Sequence, residues 1–532
     1  VPSTVIAKSW MKKLTLGLYL GGLVIIGGIL FFPDQLVFLQ NFVTPRAVEH
    51  ASADKVLTIG YASFPQSFDP VRFDPVTRSY LTDIYQGLVG TDRNLKVESS
   101  LAVSWGMLDP LTWEFRLRPN VKFHSGKNLT VQDVKYSLDR ARTDNASQLR
   151  DLLNTVASVE ASGQDKVLVK TLVPDPLLLS KLAVTAIVPE NTTDFSKPIG
   201  TGPYQVSAQD FSSLTLQTFN DYWDGKPYYG SVKLVSIPDR DDRIAALEKG
   251  SLDILANMPP NVACSLVARR ISSQACLKLT TQDYVVQAVP SLEVTFLMMN
   301  QENDVFKDVS VRTALRSLFD HDALTEILYG FAKPSGQFVS NGVFGFNPQL
   351  KNPDFNLTDA KNQLDEVFAS LFSAPQVGLD YPESLQSLAE IVQSQMIDGG
   401  IQVELHPLPD SELFAKIENG ESDLYLIGWK SELGDAFDFL KSVAHSKNTV
   451  SGYGQFNGTH LLDAAVDQKI ESSEQNLDPV KRLQEMQDVM KILVEDDVMG
   501  IPLYESETLF ASKKTLQFVP PVDGYIHPSD IR

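Results

Sequence analysis

Nineteen consecutive residues without a charge, Leu14–Phe32 (LTLGLYLGGLVIIGGILFF), place the strongest constraint on this 532-residue chain. At about 1.5 Å rise per residue, a helix of that length crosses a hydrocarbon core of roughly 30 Å. Lys8, Lys12 and Lys13 precede the run and Asp34 follows it. The positive-inside bias therefore predicts a cytoplasmic N-terminus and an extracellular or periplasmic C-terminal part. A signal peptide has a shorter apolar region with a small-residue cleavage site close behind it. Here the small-x-small candidate, Ala51-Ser52-Ala53, is distant, and no cysteine follows the run closely enough to carry a lipid anchor. The reading is an uncleaved single-pass anchor in the cytoplasmic membrane, with residues 1–53 as cytoplasmic stub, transmembrane helix and linker. A cleaved signal and a buried core helix are the alternatives.

Hydrophobic residues make up 43% of the chain, enough for a packed core. At about 100–200 residues per domain, the length implies two to four domains. The net charge of −20 argues against a nucleic-acid partner, because phosphate recognition needs a clustered Lys/Arg surface. Cys264 and Cys276 have no CxxC or histidine spacing beside them, so zinc is not expected. Outside the membrane a disulfide is the favoured pairing, and two buried free thiols are the alternative.

Periodicity after Lys55 reads as mixed α/β. Val56–Ala62 has the pattern of a buried strand. Leu81, Ile84, Tyr85, Leu88 and Val89 follow helical spacing, with Gly87 and Gly90 weakening the end. Trp113–His124 alternates as a strand interrupted at Pro119, and Thr130 with Asp133 opens a helix in capping-box style. A strand pair is expected around Val167–Leu172, a turn cluster over Pro198–Val206, and a helix end, Gly250 cap and new strand within Ala246–Leu255. Further on, helices are predicted over Ser310–Tyr329, Leu385–Asp398 and Pro479–Glu495. Strands are predicted over Ile401–Leu405, over Asp423–Trp429 and from Gly500.

Motifs for chemistry are missing. There is no GxxxxGK[ST], GxSxG or HExxH, and Gly200-Thr201-Gly202 is followed by Pro203, which cannot donate to a phosphate. The seven histidines are scattered, with none paired at i, i+4. No catalytic residue, metal ligand or cofactor site is expected, and a binding protein is favoured over an enzyme.

Several segments stand out in order: Ile84–Val89 (IYQGLV), Ser100–Trp105, Trp113–Ala141 (WEFRLRPNVKFHSGKNLTVQDVKYSLDRA), Pro198–Val206 (PIGTGPYQV), Phe219–Tyr229 (FNDYWDGKPYY), Ala246–Leu255 and the later stretch LMMNQENDVFKDVSVRTALRSLFDHDAL. Together they resemble the extracellular solute-binding proteins of family 5, the peptide-binding components of ABC importers and their nickel-, haem- and oligosaccharide-binding relatives. The resemblance spans nearly everything after Asp54. It implies an α/β, two-lobed fold of the periplasmic-binding-protein type, type II-like and enlarged by an extra subdomain. Residues 54–100, 198–293 and 496–532 would form lobe I, 101–197 a subdomain inserted in it, and 294–495 lobe II. Arg118, Gly126 and the GTGPY turn are read as architecture.

The ligand site implied by the resemblance centres on GWKSELGDAFDF (Gly428–Phe439). In peptide-binding members a Trp ends a strand at the cleft, and an acidic residue three positions later pairs with the peptide's α-amino group. Trp429 and Glu432 occupy those places, with Glu where the dipeptide-type pattern has Asp. Asp435 also matches, while Ala436 replaces the usual Pro. A second carry-over is the loop Phe73–Thr77, where Phe73, Asp74 and Val76 would pair with the ligand backbone like an added strand. The implied function is capture of a peptide or related small solute between the lobes by a monomer, and delivery to ABC permease subunits in the membrane. A membrane-tethered sensory or interaction protein on the same fold, or a binder of nickel, haem or oligosaccharide, is the alternative.

Overall fold

Strand Ser52–Tyr61 takes in most of the apolar run Val56–Ala62 that was expected as a strand, with Leu57 and Ile59 fully buried. The computed structural model describes residues 52–267, 276, 281–369, 371 and 373–532. Ser52–Tyr61 pairs in parallel with Tyr229–Ser236 and with Ile254–Ala256. In the second lobe, Gln376–Pro382 pairs in parallel with both Gln402–Leu408 and Leu424–Lys430. Two long antiparallel strands, Tyr284–Met299 and Gly500–Lys513, join these two sets. One end of the pair lies beside Ile254–Ala256 and the other beside Leu424–Lys430. Their register shifts between Pro290 and Val294, and Leu292 there takes φ 60°, a left-handed conformation uncommon for leucine. The regular pairing of the two long strands is thus interrupted at Leu292.

Strands Ala102–Asp109, Thr112–Leu117, Lys166–Thr171 and Val156–Ser162 form a separate antiparallel sheet. Helix Val131–Thr143 starts on the expected capping box: Thr130 N donates to the Asp133 carboxylate at 2.8 Å, and Asp133 N donates back to Thr130 Oγ1 at 3.4 Å. Gly250 caps its turn at φ 70° between helix Arg240–Glu248 and strand Ile254–Ala256.

Two predicted helices are corrected. The helical spacing from Leu81 to Val89 is not one helix: Pro75–Leu81 is helical, and Val89 opens the short strand Val89–Thr91. The carbonyls of Asp83 and Ile84 instead accept from Tyr204 N at 3.2 Å and Gly202 N at 3.0 Å. A Cβ at Gly202 would stand 2.2 Å from the Asp83 oxygen, and one at Gly200 only 1.9 Å from the Ile84 oxygen. The glycines of GTGPY therefore permit backbone to touch backbone. His124 locks the same turn, accepting from Gly200 N on Nδ1 at 3.2 Å and meeting the Gly202 carbonyl with Nε2 at 3.1 Å. Burial lowers its pKa to about 4, which keeps the ring neutral. The second correction is Ser310–Tyr329, which divides into Val309–Leu318 and His321–Glu326 because Asp320 caps a new helix at 3.1 Å from Asp322 N and Ala323 N.

Cys264 and Cys276 are disulfide-bonded, with Cα atoms 5.8 Å apart. The bond closes a short loop and should contribute about 2–4 kcal/mol. Thiol labelling of the exported protein under denaturing, non-reducing conditions should find neither cysteine free, and two labelled cysteines would refute the bond. Among the described residues no helix is long and apolar enough to cross a membrane. The span expected at Leu14–Phe32 lies outside the described residues.

Candidate functional site

Strand Leu424–Lys430 ends beside the C-terminal segment, which its last residue touches. Trp429 is partly buried against Phe439 and Phe456, with ring centroids 6.3 and 6.1 Å away. Its indole Nε1 donates to Asp438 Oδ2 at 3.2 Å. Water reaches Asp438, yet the crowding around it costs hydration and pushes its carboxyl up to about 6. Lys430 reaches across to the C-terminal segment, donating to the Asp523 carbonyl at 3.1 Å with its ammonium 5.0 Å from the Tyr525 ring centre.

Glu432 is the meeting point. Helix Pro75–Leu81 presents Arg78, whose Nη1 lies 2.5 Å from Glu432 Oε2. Lys430 Nζ lies 3.2 Å from the other carboxylate oxygen. Arg78 is stacked between two aromatic faces, 4.4 Å from the Phe73 ring and 4.2 Å from that of Tyr525, and also donates to the Tyr525 hydroxyl at 3.1 Å. The arrangement sets cation, carboxylate and flat apolar walls within one small region, the equipment for a charged organic solute.

The other expected site residues have different positions. Asp435 is buried beneath this surface: both its oxygens are taken by Arg482, at 2.6 and 2.9 Å, and it accepts from Phe437 N at 2.9 Å. It holds the loop that carries Glu432 and is not on the cleft surface, because a buried carboxylate needs those partners. Asp74 is the N-cap of helix Pro75–Leu81, accepting from Thr77 N at 2.9 Å, and Val76 is already helical. The backbone N–H of Phe73 is also occupied, donating to Gln148 Oε1 at 2.6 Å. The signal was Asp-Pro, an N-cap followed by a first-turn proline. Phe73 contributes its ring instead. Arg78, Lys430, Tyr525 and Asp438 were missed; only Lys430 and Asp438 stand inside the motif, and Tyr525 has no local signature.

The C-terminal segment that carries Tyr525 is tied to the stretch after helix Pro75–Leu81 through Asp83. Its carboxylate accepts from Ser529 N at 2.6 Å and faces His527 Nδ1 at 3.3 Å. Crowding around the ring opposes its protonation, but Asp83 outweighs that effect and raises His527 to about 9. Since the folded value lies above the ordinary 6.5, this contribution is complete below about pH 6.5 and is lost as pH rises through 9. Wild-type denaturation midpoints should fall over that window, and His527→Gln should flatten the fall.

Residues 96–451 match the model of the bacterial extracellular solute-binding proteins, family 5 Middle. The chain belongs to this family. Among relatives of this family-5 protein, the glutathione-binding protein GsiB of Salmonella paratyphi A is 25% identical over 488 residues, covering 88% of this chain and 91% of GsiB. The nickel-binding protein NikA of Staphylococcus aureus is 25% identical over 455 residues, 82% of this chain and 87% of NikA. The structure of the oligopeptide-binding protein AppA of Bacillus subtilis with a nonapeptide matches with a TM-score of 0.70 and 22% identity, over 90% of this chain and 98% of AppA. The family-5 chain is thus a two-lobed solute-binding protein of the ABC-importer type and not an enzyme.

Proposed function

We propose that this family-5 protein captures a short peptide or closely related amine-bearing solute between its lobes and delivers it to ABC permease subunits in the membrane. The observation that carries the reading is the contact of Glu432 with Arg78 across the lobes, walled by Trp429, Phe73 and Tyr525. Fixed charges of both signs beside aromatic faces suit a solute with an ammonium, a carboxylate and an apolar body. Glu432 is the residue assigned to the α-amino group, and entry of that group requires Arg78 to shift on the carboxylate. The long strands Tyr284–Met299 and Gly500–Lys513, their pairing interrupted at Leu292, are the assigned hinge for closure; periplasmic binding proteins are a standing example of such motion. Small-angle scattering with and without short peptides tests this. A radius of gyration that falls on peptide addition supports it, and an unchanged radius despite measured binding opposes closure.

On sequence alone, we further assign Leu14–Phe32 as the membrane anchor of the extracytoplasmic body. Protein extracted from cells should be membrane-bound and full length. N-terminal sequencing that starts near Asp54 would refute this.

A further inference from the structure

We propose that Glu293 is the second carboxylate of the ligand-ammonium site: it lies over Gly428 and opposite Lys430, and with Glu432 it supplies the negative charge that an incoming amine requires. The inference rests on the cleft reading above and extends it to a residue outside the recognised motif.

Glu293 faces Lys430 directly in the ladder between Tyr284–Met299 and Leu424–Lys430. A Cβ built on Gly428 would come within 2.2 Å of Glu293 Oε1. The carboxylate therefore fills the space of a side chain at 428, which gives the glycine before Trp429 a physical reason. Among the described residues none donates a hydrogen bond to this carboxylate, whereas Glu432 next to it has two cations. A partly buried carboxylate set beside a second one calls for an explanation, because like charges repel.

Charge balance supplies one. Arg78 and Lys430 already bring two cations to Glu432. An ammonium arriving there would be a third cation around a single carboxylate. Ionised Glu293 and Asp438 would raise the carboxylates to three and restore the balance. The groups facing Glu293 are Lys430 and Glu432 from the neighbouring strand and its following loop, and Tyr504 from strand Gly500–Lys513. Arg78 and Tyr525 stand beyond Glu432. Burial raises the Glu293 carboxyl, Glu432 adds to the rise, and Lys430 opposes it. A cation that binds beside such a group drives it to ionise, and protons leave as the ligand enters.

The test is isothermal titration with trialanine and N-acetyl-trialanine, near pH 6, in two buffers of different ionisation enthalpy. Wild type, Glu293→Gln, Glu293→Asp and Glu432→Gln are compared. The inference expects proton release when wild type binds trialanine. Glu293→Gln should bind trialanine at least about tenfold more weakly, with less proton release and no change toward the acetylated peptide. Glu293→Asp, which keeps the charge, should retain proton release. Affinity for trialanine within about twofold of wild type in Glu293→Gln, or equal loss for both peptides, would overturn the assignment. If Glu432→Gln alone has no effect, the Glu432 assignment falls and that of Glu293 stands. If only Glu293→Gln has none, the reverse holds. A wild type that binds neither peptide overturns the peptide reading and this inference with it.

Discussion

Glu432→Gln is expected to weaken the binding of free-amine peptides by about 10–150-fold, the loss of a charge-assisted hydrogen bond worth roughly 1.5–3 kcal/mol. The substitution keeps size and hydrogen-bonding capacity but removes the charge. It also leaves Arg78 and Lys430, both within 3.2 Å of this carboxylate, without their counter-ion, so they repel the arriving ammonium. N-acetylated peptides present no ammonium; they should bind wild type poorly and respond little to the change. Trp429→Ala should instead weaken both classes, because it removes wall area rather than a charge partner. Calorimetric titration of short peptides against the two variants separates these effects. If Glu432→Gln keeps free-amine affinity within about twofold, the amine assignment is wrong and the ligand is to be sought among non-peptide solutes.

Arg482→Met is expected to destabilise the second lobe by about 3–5 kcal/mol, since it strands the Asp435 carboxylate in the interior. The two side chains keep only 4% and 6% of their surface, and Arg482 also donates to the Ser473 carbonyl at 2.9 Å. Replacing both partners, Arg482→Met with Asp435→Leu, should cost less than the single substitution, because no charge is then left unpaired. Denaturant unfolding of the two variants measures the difference. A double variant less stable than Arg482→Met would show that the pair contributes more than mutual neutralisation.

What could be read in the sequence follows the range of the forces involved. Local signals were legible: the Thr130 capping box, the Gly250 cap and the strand into Trp429 all appear where they were expected. Helix Pro75–Leu81 was obscured by a competing hydrophobic period, although Asp74-Pro75 announced it. The apolar spacing at Ile84, Tyr85 and Leu88 does report burial, but the backbone there is held by the GTGPY turn more than a hundred residues away. The site divides in the same way. Trp429 and Glu432 stand in a recognisable segment, and Glu432 meets Arg78 from far along the chain. Asp435 stands in that segment too, but its partner Arg482 is distant in sequence and turns it into a support. Arg78, Tyr525 and Glu293 arrive from three separate stretches, and only the fold brings them to Glu432. Their residue types are ordinary, so no spacing marks them.

Capture of a solute in this cleft is tested most directly by native mass spectrometry of protein gently purified from its own cells, beside the Trp429→Ala/Glu432→Gln double variant prepared in the same way. Wild type should carry a single small solute that the double variant has lost, with both proteins folded. The same adduct on both proteins, or none on wild type even after incubation with short peptides, would contradict the account.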